Sequence, residues 1–333
     1  MTIRFAFVAF VVGAVISLGM SWVLVSRLER IAERLGLSEA LLGLVAALAA
    51  DTPEITAAVT ALSHHQRTVG AAVVIGSNVF NLAALLGLGA IVAGRIGLHR
   101  KVVVLGGFVA LWVALVCLGS VAGVVEPATG LGLVLIVVVL YIVILSGHRG
   151  GLPRLRLPQR WTAWLATAVN EEELELVVAI RPERGRPKDA VVGTLALMVV
   201  VSASVAMERG ASSLGQHYSV AGDVVGGLVL AAVTSLPNAV AAVYLAGNGR
   251  GAAALSTALN SNTLNVLGGL LLPAVFIGLA RPSGQGLLIT GWYVGLTALT
   301  LGLAYADRGL RRWAGWLIVA SYGAFVAVVL ARS

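Results

Sequence analysis

The chain consists of long apolar stretches separated by short polar segments. Apolar runs of 18 or more residues recur along it, and each is long enough to cross the hydrocarbon layer of a bilayer as a helix. We therefore predict an all-α membrane protein of about ten transmembrane helices. The approximate spans are 4–26, 38–63, 70–94, 102–121, 128–147, 190–208, 222–247, 252–280, 286–305 and 313–331.

Basic residues are distributed unevenly between the two sides that these spans define. One side holds 18 of the 23 Lys and Arg residues, eight of them in the long segment 148–189, and the other side holds five. Because Lys and Arg collect on the cytoplasmic side of membrane proteins, segment 148–189 is predicted to be cytoplasmic. Both termini are then outside, in a multi-pass protein of the cell (plasma) membrane.

Composition agrees with a membrane location. The chain is 59% hydrophobic and only 11% charged, with a mean hydropathy of +0.96, whereas soluble domains are about 25% charged. A net charge of +8 in a soluble protein would suggest nucleic acid as a partner. Here the charges lie between apolar runs, so we expect membrane lipids and no nucleic acid. The single cysteine, Cys117, excludes a disulfide framework within the chain.

The two halves of the chain repeat one pattern. Residues 43–81 align without a gap with residues 227–265, at a shift of 184, and the polar positions match in register. Each repeat holds five spans, so the second enters the membrane in the opposite orientation. We predict a first five-helix repeat (1–147), a cytoplasmic central loop (148–189) and a second, inverted repeat (190–333). Inverted repeats are typical of secondary transporters, with the binding site at mid-membrane depth between the repeats.

Two carboxylates interrupt the second apolar span. Asp51 and Glu54 are three residues apart, so they lie near one face of a helix. Carboxylates inside a membrane are costly and indicate a functional site; the alternative is a structural ion pair, but no span interior supplies a basic partner. Pro53 and its repeat counterpart Pro237 are both predicted to break their helices and free carbonyl oxygens.

Polar residues of four spans complete a predicted metal site made of oxygen ligands. Each could instead hydrogen-bond between helices, but together with the carboxylates they match the ligands that Ca²⁺ or Na⁺ prefers. No Cys or His is expected at the site, which argues against zinc and copper. The predicted ligands are Asp51, Glu54, Ser77, Asn78, Asn81, Thr234, Ser235, Asn238, Ser261 and Asn265.

These segments resemble the calcium/cation antiporter superfamily, in particular its sodium/calcium exchanger branch. That family carries Gly-Thr-Ser-x-Pro-Glu and then Gly-Ser-Asn in each repeat, with Asn or Asp three residues beyond the Asn. The matching segments here are 49–54 and 76–81, then 233–238 and 260–265. The resemblance implies exchange of Ca²⁺ against Na⁺ or H⁺ by alternating access. This chain departs from the pattern with Asn238 in place of glutamate, Asp51 in place of serine and Ala50 in place of threonine.

Several functions remain open on the sequence alone. Both carboxylates come from one repeat, and because like charges repel, a bound proton and coupling to H⁺ are plausible. An antiporter for another cation, of the Na⁺/H⁺ type, is the first alternative. A passive cation channel and an intramembrane enzyme that uses Asp51 and Glu54 are the others. No H-E-x-x-H or G-x-S-x-G pattern occurs, so we expect no catalytic residues, no enzyme and no cofactor.

Overall fold

The computed structural model describes residues 2–35, 39–146, 158, 160, 161, 163–169, 186–247 and 251–332. Most of the predicted central loop, 148–189, lies outside these residues, so its role and the boundaries of the three predicted parts stay predictions. The described chain is helical apart from one two-stranded sheet. The predicted all-α fold is confirmed.

The described residues of the first repeat form seven α-helices, one π-helical segment and one strand. They are α1 (Ile3–Arg34), α2 (Glu39–Ala50), α3 (Thr52–Ser63), α4 (Arg67–Asn81), a π-helical segment (Leu82–Leu88), α5 (Gly89–Ala93), β1 (Arg95–Gly97), α6 (Arg100–Val121) and α7 (Pro127–Ser146).

The second repeat follows the same plan. It contains α8 (Pro187–His217), α9 (Gly222–Val224), a π-helical segment (Val225–Leu230), α10 (Ala231–Gly247), α11 (Gly251–Leu264), a π-helical segment (Asn265–Leu271), α12 (Leu272–Ile277), α13 (Gly284–Ala306), β2 (Gly309–Arg311) and α14 (Arg312–Arg332). Helices α8, α11 and α13 begin 184 residues after α1, α4 and α6, which is the shift of the sequence repeat.

Nine of the ten predicted spans correspond to helices that are long and apolar enough to cross a membrane, and two of these helices have other ends than predicted. Among the described residues, eight helices are long and apolar enough to cross a membrane, and the bent pair Leu44–Ala50 with Thr52–Ser63 makes a ninth. The predicted span 222–247 corresponds to consecutive helical segments from Gly222 to Gly247. Helices α1 and α8 are longer than the predicted 4–26 and 190–208, because backbone hydrogen bonds continue into charged turns beyond the apolar run.

The helix break predicted at proline occurs in one repeat only. Helices α2 and α3 meet at an angle of 51°. Because Pro53 has no N–H, it cannot donate to the Ala49 carbonyl, which instead accepts a hydrogen bond from Ser21 Oγ at 3.5 Å. Helix α10, in contrast, runs through Pro237 from Ala231 to Gly247, so the break predicted there is wrong. A helix can tolerate the one hydrogen bond that proline removes when neighbouring groups stabilise it.

Segments predicted to share one side of the membrane contact each other. On the arginine-rich side, β1 pairs antiparallel with β2, and Arg95 lies opposite Arg311. On the other side, Arg67 donates to the Leu279 carbonyl at 3.4 Å, and Arg209 lies 3.1 Å from His64 Nε2. These contacts support the predicted alternation of loops between two sides.

Candidate functional site

Asp51 and Glu54 are fully buried where the second span bends. Asp51 joins α2 to α3: its N–H donates to the Ala47 carbonyl at 2.8 Å, and its own carbonyl accepts from Ile55 at 2.9 Å. Glu54 lies in the first turn of α3, where the N-terminal end of a helix favours negative charge. In the part of the chain that the structure describes, no basic side chain forms an ion pair with either carboxylate.

Hydrogen-bond donors to both carboxylates come from the second repeat. Asp51 Oδ1 accepts from Asn238 Nδ2 at 2.8 Å and from Ser261 Oγ at 2.6 Å. Glu54 accepts from Ser235 Oγ and from Asn265 Nδ2. The first repeat therefore supplies the negative charge, and the second supplies neutral donors that stabilise it.

The pairing follows a pseudo-two-fold axis between the repeats. At the shift of 184, Asp51 corresponds to Ser235, and Glu54 corresponds to Asn238. Each carboxylate is hydrogen-bonded to the residue that corresponds to the other carboxylate. The interface between the two oppositely oriented halves thus passes through the site.

An asparagine pair on this axis includes Asn262, which is not among the ten predicted ligands. Asn78 Nδ2 donates to the Asn262 carbonyl, and Asn262 Nδ2 donates to the Asn78 carbonyl, both at 3.1 Å. Asn262 also accepts from Asn81 Nδ2 at 3.2 Å through Oδ1. The signal was available, because Asn262 aligns with Asn78 in the sequence repeat.

The other predicted ligands differ in the hydrogen bonds that they form. Asn81 donates to Ser261 Oγ at 3.1 Å, and Asn78 Oδ1 accepts from Asn265 at 3.3 Å. Ser77 is buried, and its hydroxyl has no partner in the part of the chain that the structure describes. The Thr234 hydroxyl donates to the Leu230 carbonyl of the preceding turn at 2.9 Å. The eight predicted ligands joined by hydrogen bonds between side chains are Asp51, Glu54, Asn78, Asn81, Ser235, Asn238, Ser261 and Asn265.

Four oxygen atoms of the predicted ligands are buried without a hydrogen-bond partner among the described residues. They are Asp51 Oδ2, Ser77 Oγ, Asn81 Oδ1 and Asn265 Oδ1. Because buried polar atoms are almost always paired, such a group indicates a place where a further species binds. Oxygen donors of this kind, next to two carboxylates, fit a hard cation.

Close backbone packing fixes the position of α4 at the site. A Cβ atom at Gly76 would lie 2.2 Å from the Gly227 carbonyl oxygen, so only glycine allows this approach. Ser77 and Asn78 follow directly in the chain. The contact holds the polar face of α4 against the second repeat.

Comparison with known proteins agrees with this arrangement. The family model described as "Sodium/calcium exchanger protein" matches residues 5–147 and 189–331, which is most of the chain. No curated protein matches the chain.

Several solved structures share the fold. A structure of the sodium-calcium exchanger NCX_Mj is 20% identical, covers 98% of this chain and 99% of its own, and has a TM-score of 0.58. The H⁺/Ca²⁺ exchanger CAX is 14% identical, covers 98% and 86%, and has a TM-score of 0.70. Native YfkE is 16% identical, covers 96% and 91%, and has a TM-score of 0.65. The family match over both repeats, with an inverted pair of five-span units around buried carboxylates, shows that this chain belongs to the sodium/calcium exchanger family of membrane cation exchangers.

Proposed function

We propose that this protein is a secondary antiporter that exchanges Ca²⁺ against Na⁺ or H⁺ at the Asp51–Glu54 site by alternating access. The observation that supports it is a pair of buried carboxylates with no basic partner among the described residues, beside four unpaired oxygens. All ten predicted ligands remain part of the proposed site, and five of them supply the oxygens that we propose for the ion.

The oxygen inventory suits Ca²⁺. The four unpaired oxygens, together with Asp51 Oδ1 and the two Glu54 carboxylate oxygens, make seven, and Ca²⁺ takes roughly six to eight. To bind the ion, Asn265 must turn its amide so that Oδ1 replaces Nδ2 beside Glu54. Two carboxylates neutralise one Ca²⁺, two Na⁺ or two H⁺, so either counter-ion can leave the site equally neutral.

The same contacts explain why transport would be coupled. The carboxylates lie on one repeat and their donors on the other, so a movement of one half against the other separates them. An empty site would then leave two buried charges without partners, which costs several kcal/mol. An ion or protons remove this cost, and the loaded protein can move where the empty one cannot. A passive channel lacks such a penalty.

Ion flux into proteoliposomes tests the proposal. We expect Ca²⁺ uptake only when a Na⁺ or H⁺ gradient of the opposite direction is imposed, with the two gradients applied separately. Flux of Na⁺ against H⁺ without Ca²⁺ would favour the Na⁺/H⁺ alternative. Flux that needs no counter-ion would favour a channel, and metal-dependent hydrolysis without flux would favour an enzyme.

Glu54→Gln tests the site itself. The substitution removes one of the two buried charges and keeps the size of the side chain, so we expect exchange to be lost. Glu126→Gln is the matched control, because Glu126 is an exposed acidic residue between α6 and α7. Exchange in Glu54→Gln equal to that in the control would defeat the site assignment.

The proposed orientation places both termini outside the plasma membrane, with lipids as the surrounding partner. The contacts between loops support the alternation of sides, and the excess of basic residues on one side supports the direction. A Thr2→Cys variant provides the test, because the native Cys117 is buried. Labelling in intact cells by a membrane-impermeant maleimide is expected, and protection until the membrane is opened would reverse the orientation.

A further inference from the structure

Glu208 is a buried carboxylate that the proposed ion site does not use. It lies on α8 and is only 1% exposed, at the end of the helix where Arg209 meets His64. At the shift of 184, the corresponding residue of the first repeat is Leu24, which is equally buried. The fold therefore accepts an apolar side chain at this position, and an acid in an apolar helix indicates a function of its own.

The neighbouring basic groups are engaged with each other and not with Glu208. Among the described residues, Glu208 forms no ion pair, although Arg209 follows it in the chain. The Arg209 guanidinium donates to His64 Nε2 at 3.1 Å. His64 Nδ1 lies 2.8 Å from the Thr60 carbonyl, which can only accept. The ring hydrogen of His64 is therefore on Nδ1, and Nε2 is the acceptor that Arg209 uses.

The helices packed against α8 add few charges near Glu208. Helix α3 carries only Glu54. The part of α1 that contacts this end of α8, near Phe10, carries only Arg4. In the loop between α3 and α4, His65 is exposed. Neutralisation of Glu208 by a protein cation is thus not part of the described structure.

Three oxygen atoms meet at Glu208 with one hydrogen between them. Ser212 Oγ lies 2.7 Å from Glu208 Oε1 and also 2.7 Å from Gln66 Oε1. A hydroxyl carries a single hydrogen, whereas carboxylate and amide oxygens only accept. One of the two contacts therefore needs a further hydrogen. Because both pairs are at hydrogen-bond distance, the species that fits between them is a proton.

A proton on Glu208 completes the hydrogen bonds. The acid O–H then donates to Ser212 Oγ, and the Ser212 hydroxyl donates to Gln66 Oε1. Without the proton, Gln66 must turn its amide so that Nε2 donates to Ser212. Ser212 then donates to a carboxylate that has no other donor among the described residues. A buried charge with a single donor is costly, so the closed arrangement favours the protonated acid.

We propose that Glu208 is a proton-binding site that fastens α8 to the loop between α3 and α4. It is separate from the ion site, because Glu54 lies in the first turn of α3 and Gln66 lies beyond its last residue, Ser63. Nine residues of helix, about 14 Å, separate Glu54 from that end. Loss of the proton places a charge between α8 and the loop, which favours their separation and the entry of water. This inference does not require the proposed exchange.

Infrared spectroscopy of the purified protein in detergent tests the inference, because a protonated carboxylic acid has a carbonyl band distinct from the bands of carboxylate. Near pH 7, where an exposed glutamate is ionised, Glu208→Gln should lose one acid equivalent of this band per chain. Glu126→Gln, which removes an exposed carboxyl, should lose none. As the pH is raised, the wild type should lose thermal stability relative to Glu208→Gln, since its folded state must give up a bound proton.

Ser212→Ala provides a second, independent variant. It removes the acceptor of the acid O–H, so we expect the Glu208 carbonyl band to shift in frequency. Ser213→Ala, at a half-buried neighbouring position, should leave the band in place. This comparison still tests the inference if Glu208→Gln does not fold.

The contrary outcomes distinguish this inference from the proposed function. Equal acid bands in the wild type and Glu208→Gln at every pH would overturn the proton site, whether or not the protein exchanges cations. An unshifted band in Ser212→Ala would also overturn it, since the acid would then not be bonded to Ser212. If the Glu208 band is present but the wild type shows no exchange in proteoliposomes, only the proposed function fails.

Discussion

Asn238→Asp places a third carboxylate in the site at the position where the family usually has an acid. The substitution keeps the shape of the side chain but replaces Nδ2, which now donates to Asp51 Oδ1 across 2.8 Å. In place of this hydrogen bond, a carboxylate oxygen of residue 238 would face a carboxylate oxygen of Asp51. The site must then bind a proton, bind a cation or open.

Without a bound cation, the short distance between the two carboxylates determines which of these outcomes is favoured. At an effective dielectric constant of about 20, two unit charges about 2.8 Å apart repel by about 6 kcal/mol. Placing a proton on an ordinary aspartate at pH 7 costs about 4 kcal/mol, since its pKa is near 3.9 and each pH unit is worth about 1.4 kcal/mol. The repulsion is larger, so we expect the pair to share one proton, which also replaces the lost N–H.

Proton release on ion binding provides the assay. In a weakly buffered solution near pH 7, Ca²⁺ should expel that proton, so the variant should release one proton more per bound ion than the wild type. By linkage, its affinity should fall more steeply as the pH is lowered. Asn260→Asp is the matched control, because Asn260 is also buried but donates to Ser256 Oγ at 3.1 Å rather than to a carboxylate. Equal proton release by wild type and Asn238→Asp would refute the reasoning.

Two further substitutions test the packing and the hydrogen bonds around the carboxylates. Ser261→Ala removes a donor 2.6 Å from Asp51 Oδ1 and should lower the free energy of unfolding by about 2 kcal/mol. Ser202 is exposed, so Ser202→Ala should change the free energy of unfolding far less. Equal effects of the two substitutions in denaturation experiments would contradict this prediction. Gly76→Ala puts a Cβ 2.2 Å from the Gly227 carbonyl and should greatly reduce the yield of monodisperse protein, whereas Gly295→Ala, with no atom within 4 Å, should not.

Features set by local rules could be predicted from the sequence. The length of apolar runs predicts the spans because a bilayer has a fixed thickness. The matched polar positions predict two repeats, and the five spans in each predict that the repeats have opposite orientations. Asp51 and Glu54 stand out because a carboxylate in an apolar run is costly. The same rules failed at helix ends and at Pro237. Hydropathy indicates which residues are buried in lipid, and a proline indicates one missing hydrogen bond, but neither determines where a helix ends.

The pairing of side chains was decided only by the tertiary structure. Donors and acceptors that pair between the two repeats lie 180 to 211 residues apart in the chain. The rotation of each helix determines which atoms face each other. That is why Asn262 joins the site and why the Thr234 hydroxyl bonds to its own helix. The sequence determined that two halves would meet around buried negative charge, because burial and periodicity are properties of single segments. Which oxygens remain unpaired there depends on packing between segments.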